Sequence, residues 1–172
     1  MHILNYYFTP FAVVLILFAI FFSEPEPAVT YASFAILAAA FITNYWLGKN
    51  IYRFLRWSRH IRALTVWVNL AVSAALFYLL SAYWAPVWLL FLTAPSASAM
   101  FMKKWQVFLI ALASSVIMVF LYYVRSLAYG EGGGMGAQLW GMALSQAVFI
   151  MFFSMFTAAM AEMIVKVRDS QR

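Results

Sequence analysis

Titratable side chains are the first place to look for chemistry, and here they avoid the long apolar stretches. The 172 residues contain only five Asp and Glu, two His and no Cys. Without cysteine there is no disulfide framework, thiolate metal site or cysteine nucleophile. His2 opens the chain and His60 sits among arginines, so the two cannot pair as haem ligands inside a membrane, and both are expected at the surface. No H-E-x-x-H, phosphate-binding lysine loop or G-x-S-x-G occurs, and Gly132, Gly134 and Ala137 match the dinucleotide fingerprint in spacing alone, since no strand precedes them. The remaining polar candidates within apolar sequence are Thr43, Asn44, Asn69, Ser114, Ser115, Ser145, Gln146 and Ser154. Hydroxyls and amides of this kind serve hydrogen bonding between helices more readily than ligand chemistry. With neither an acid/base pair nor a metal cluster, no cofactor, no metal and no catalytic activity are expected.

A second group with chemical potential is basic. From Asn50 to His60 the sequence interleaves Arg53, Arg56 and Arg59 with Tyr52, Phe54 and Trp57, and Arg62 follows. Cations alternating with aromatic rings suit the headgroup level of a bilayer, where each cation contributes about 1 kcal/mol near anionic lipid. The stretch is too short for a nucleic-acid surface, and no nucleic-acid partner is expected.

These residues must be positioned by elements that live in lipid. The chain is 67% hydrophobic, 20% aromatic and 9% charged, against about 25% charged in soluble domains. There is too little polar surface to cover a core of this composition in water. A hydrocarbon layer of about 30 Å needs roughly 20 apolar residues per helix, and six stretches qualify: 4–22, 28–47, 63–80, 84–102, 105–127 and 139–165. Glu24, Pro25, Glu26 and Pro27 stop the first, the cations from Lys49 to Arg62 separate the second from the third, and Ser81 to Tyr83 make the weakest break. Lys103 and Lys104 precede the fifth, and five glycines between Gly130 and Gly136 form a flexible connection before the sixth. The fold class expected is all-α, a polytopic membrane bundle of six helices over residues 1–165 with a cytoplasmic exit at 166–172. The start lacks the features of a removable signal peptide and is expected to be retained.

Alternating the loops puts ten of the eleven Lys and Arg on one side and Arg125 alone on the other. By the positive-inside rule both termini are expected in the cytoplasm, with Glu24, Glu26 and the glycine loop outside. Tyr6, Tyr7, Trp46, Trp57, Tyr83, Trp84, Trp105, Tyr122, Tyr123 and Trp140 lie near the span ends and are expected as interfacial anchors.

Two spans carry further signals. Pro86 and Pro95, with Ser96, Ala97, Ser98 and Ala99 after them, predict a kinked and narrow fourth span against which a neighbour packs closely. Ala137, Gly141 and Ser145 recur every four residues, a small-residue face for packing inside the bundle, the preferred use, or across a dimer. Further along the last span, Phe153, Thr157, Met160, Ile164, Val167 and Gln171 repeat at alternating intervals of four and three, the spacing of a coiled coil. Ile164, Val167 and Gln171 would then carry a signal out of the membrane, unless the helix frays near Glu162, Lys166 and Arg168.

The stretch Tyr83-Trp84-Ala85-Pro86-Val87-Trp88-Leu89-Leu90-Phe91-Leu92-Thr93-Ala94-Pro95, the turn Lys103-Lys104 and the exit Val165-Lys166-Val167-Arg168-Asp169-Ser170-Gln171-Arg172 resemble, in their order along the chain, the N-terminal six-helix membrane domain of bacterial sensor histidine kinases of the pilus-regulating type. The resemblance covers the whole chain and is architectural. It implies a sensory domain that relays a signal through its last helix to a cytoplasmic output module, with lipid including anionic lipid around it and either a homodimer or a membrane or cytoplasmic protein as partner. Kinase activity would require a phosphoacceptor helix and a nucleotide-binding domain, which this sequence does not contain. The competing expectations are a substrate-binding membrane subunit of a small-molecule transporter and a structural or assembly subunit of a membrane complex.

Overall fold

The computed structural model describes residues 9–50, 58–129 and 135–170, and every regular element among them is helical. In chain order these are α1 (Thr9–Ser23), α2 (Pro27–Asn50), α3 (Ser58–Leu80), a 3-10 helix (Ala85–Leu92), α4 (Thr93–Ser98), α5 (Lys104–Tyr129) and α6 (Ala137–Ser170). Four of them, α2, α3, α5 and α6, are long and apolar enough to cross a membrane. At 15 residues α1 is shorter, and the first residues of the span expected from Leu4 lie outside the described ones.

The breaks follow local chemistry. Ser23 closes α1, and Glu24 takes a left-handed conformation at φ 43° while its N–H reaches Ile20 O at 3.2 Å, a helix stop that usually employs glycine. Glu26 offers the first acceptor of α2, to Thr30 N at 3.0 Å. Pro27 then stands at the first helical position, where its missing N–H costs nothing. For α5, Lys103 is the cap: its carbonyl accepts from Gln106 N at 2.8 Å, and its own N–H donates to Gln106 Oε1 at 3.3 Å. That return bond is half of a capping box. Gly136 plays the corresponding part for α6, accepting from Trp140 N at 3.1 Å.

Helices outrun the hydropathy windows at their charged ends. α3 begins at Ser58 rather than Ala63, α2 continues to Asn50, and α6 reaches Ser170. An apolar window marks where lipid ends, whereas Arg, Lys, Gln and Glu are good helix formers that continue the helix into water. Arg59 and Arg62, expected in a connecting loop, are therefore in the first turns of α3; Arg53 and Arg56 lie outside the described residues.

The fourth expected span differs most from a single kinked helix. The eight residues after Trp84 form a 3-10 helix, long for a geometry that rarely exceeds 3–4 residues. Pro86 sits in its first turn. Pro95 supplies no N–H, and the chain widens to α geometry at Thr93, whose Oγ1 donates to Leu90 O at 2.6 Å. α4 stops at Ser98, and Phe101 N and Met102 N both return to Ser98 O.

Two compact units meet the chain boundary at Thr93 and Ala94. In the first, α3 packs against α2 and the 3-10 helix, and α1 touches both of those. Its core includes Ile16, Leu70, Phe77, Val87 and Phe91, all fully buried. The Phe77 and Phe91 rings meet edge to face at 5.4 Å, a geometry that adds about 0.5–1.5 kcal/mol to area burial. In the second unit, α5 and α6 form the principal pair. Lys104 with Glu162, Ser115 with Ala147 and Tyr122 with Gln146 fix their antiparallel register. Both units show rows of large apolar side chains outward, such as Phe41 and Ile42 on α2 and Phe152 and Phe156 on α6, more than water tolerates on an isolated domain.

Candidate functional site

The buried polar groups act as helix ties. In the first unit Asn44 of α2 donates from Nδ2 to Asn69 Oδ1 of α3 at 2.8 Å. Ser73 of α3 donates to Leu90 O of the 3-10 helix at 3.1 Å; a lone serine among Ala and Val gave no sequence signal for that bond. Thr43, the neighbour of Asn44, is half-buried. In the second unit Ser115 Oγ donates to Ala147 O at 3.2 Å, and Tyr122 Oη donates to Gln146 Oε1 at 3.0 Å. Tyr122 is thus a buried tie rather than an interfacial anchor, whereas Trp46 and Trp105 are exposed as anchors require. Ser154 bonds back to Ile150 O within its own helix at 2.6 Å. Ser33, Ser96 and Ser114 are buried hydroxyls with no hydrogen-bond partner among the described residues.

The residues expected to form the α6 packing face are elsewhere on the helix. Ala137, Gly141 and Ser145 are exposed, and a Cβ added at Gly141 would meet nothing within 4 Å. The buried face instead runs through Ala143, Ile150, Ser154 and Ala158. The small-residue row is close to that face in sequence but about 200° away around the helix, because Gly141 and Ala143 are two positions apart. Within the second unit this row stays exposed. Of the two proline positions, Pro95 is buried in α4 and Pro86 half-buried in the 3-10 helix.

Charge gathers where α6 passes the start of α5. Glu162 pairs with Lys104 of α5 and, one turn along its own helix, with Lys166 at 3.5 Å. The sequence shows these residues as separate boundary marks; only the antiparallel register joins them. Beyond this tie Ile164 and Val167 are exposed and α6 stays helical to Ser170, while Gln171 lies outside the described residues. The row Phe153, Met160, Ile164 and Val167 is exposed too, out of phase with the buried face by about 100° at its start. His60 is exposed, and His2 lies outside the described residues.

Among the described residues no group of three or more His, Asp or Glu is placed to hold a metal. The arrangement holds helices in register and carries α6 past the start of α5. No family model, curated protein or solved structure matches the chain.

Proposed function

We propose that the chain is a membrane-embedded signal-transducing domain of a bacterial cytoplasmic membrane, in which α6 relays a change in the membrane to a cytoplasmic output module. The observation that carries this reading is the continuity of α6. Its 34 residues form one helix, about 51 Å long at 1.5 Å per residue. A hydrocarbon layer takes up about 30 Å of that, so several turns project beyond it with the helical phase preserved. The resemblance to the membrane domains of sensor histidine kinases agrees with such a device. The chain transmits and does not itself catalyse.

Orientation follows from charge. If only α2, α3, α5 and α6 crossed, Lys103, Lys104 and the exit cations would stand opposite the Lys49–Arg62 region, and the cations would divide almost evenly between the two sides. A crossing by the stretch from Ala85 to Met102 restores the segregation that the positive-inside rule describes. The 3-10 helix aids it, rising about 2.0 Å per residue against 1.5 Å for an α-helix. With α1 as a further crossing the reading is six passes and cytoplasmic termini.

The test is a fusion of a reporter kinase module after Arg172. Three glycines inserted after Val165 break the helix and should bring output to the level of the kinase module alone, whereas three alanines hold it at a level set by the membrane domain. Identical outputs from the two insertions would contradict the proposal.

A further inference from the structure

The second unit contains a cavity of about 500 Å³ between the turn that precedes α5 and the charged end of α6. Its lining is of two kinds. Met102, Ala158, Ala161 and Val165 give it apolar walls, and Lys103, Lys104 and Glu162 stand in it as charges. Lys166 is held beside it by Glu162. Three ammonium groups against one carboxylate leave a net positive charge of two on this side of the groove. Lys103 makes no ion pair with a described residue, and its side chain is exposed. The volume lies within the roughly 300–1,000 Å³ of small-molecule sites.

We propose that this groove holds one anionic phospholipid, its headgroup phosphate on Lys103 and Lys104 and the first part of an acyl chain along Met102, Ala158 and Val165. A soluble phosphate would satisfy the lysines and leave the apolar walls wet; a zwitterionic lipid would fill the walls and bring its own cation against the lysines. Only a lipid of net negative charge meets both parts of the site. Exposed Trp105, stacked on Phe108 at 5.7 Å, stands next in sequence to the lysines as an indole at the interface does. The inference rests on the chain being in a membrane and not on its signalling role.

The experiment uses the full chain in detergent micelles, titrated separately with phosphatidylglycerol and phosphatidylcholine and read by native mass spectrometry. One phosphatidylglycerol should bind about thirtyfold more tightly than phosphatidylcholine, as expected when two cations face the headgroup. Lys103→Ala should remove most of that preference, and Lys103→Arg should keep it. Ala161→Phe fills the groove without touching a charge, and should weaken both lipids. Millimolar inorganic phosphate and glycerol phosphate should leave the adduct in place. Equal retention of the two lipids by the unaltered protein would overturn the proposal, as would an unchanged preference in Lys103→Ala. Displacement by inorganic phosphate would assign the lysines to a soluble anion and would also overturn it. Loss of signalling in the fusion described above, with lipid preference intact, would sink that function and leave this site standing.

Discussion

Gly141→Ala separates two uses of the small-residue row on α6 because its effect has opposite signs in them. Gly141 is the fifth residue of α6, past the first turn, and open space surrounds the position a Cβ would take. In a helix interior Ala is favoured over Gly by about 0.8–1.0 kcal/mol. With no neighbour to displace, the substitution should raise the unfolding midpoint of the monomer by about 2–4 °C, the shift that 1 kcal/mol produces in a chain of this size. Were Gly141 in close contact with another helix of the same chain, the added methyl would overpack it and cost about 1–3 kcal/mol, lowering the midpoint by a similar number of degrees or more. The assay is thermal unfolding in detergent followed by circular dichroism, on protein shown to be monomeric by light scattering. A lowered midpoint in the monomer would refute the outward placement of this row. A fall seen only at concentrations where the protein associates would assign the row to a second copy.

Two further outcomes follow from the same structure. Asn69→Leu should destabilise the first unit by about 1–2 kcal/mol because it leaves the buried Asn44 amide without its acceptor, whereas the Asn44→Leu, Asn69→Leu double variant should recover most of that loss; chemical unfolding of the three variants measures it, and a double variant as unstable as the sum of the singles would contradict the pairing. Cysteines placed singly at Gly136 and Ser170, in a chain with no native cysteine, should label from outside intact cells at Gly136 and be shielded at Ser170, and external labelling at Ser170 would overturn the orientation.

Element type was legible in the sequence because lipid leaves so few choices. A charge-poor apolar run of twenty residues has to satisfy its own backbone, and α2, α3, α5 and α6 occur where such runs occur. The fourth run was harder to read, because hydropathy sees Ala85 to Leu92 as a helix and says nothing about its pitch. Helix ends at Ser58 and Ser170 escaped the windows because charged residues end the apolar layer without ending the helix. The small-residue row is ambiguous for another reason. Spacing of four identifies a face, but not which neighbour that face meets, and on α6 the buried row begins at Ala143. The Lys104–Glu162 tie was invisible for the same cause, since the two residues come together only through the α5–α6 register. Ser115, Gln146 and Asn69 stand out as hydrogen-bonding groups by their polarity within apolar sequence, while Ser73 has no mark to distinguish it.

The most direct test of the relay lengthens α6 one residue at a time. Each alanine inserted after Val165 turns everything beyond it by about 100° and advances it by about 1.5 Å. One and two insertions therefore turn Val167 by about 100° and 200°, a third brings it to about 60° from its starting direction, and a fourth to about 40°. In the fusion with a cytoplasmic reporter kinase, the phosphorylation level should change across the first three insertions and come back closest to that of the unaltered chain at the fourth. An unchanging level across all four, in variants shown to be inserted and equally abundant, would contradict a phase-preserving helix and favour a transporter-subunit or assembly-subunit role in which the exit is only a charged anchor.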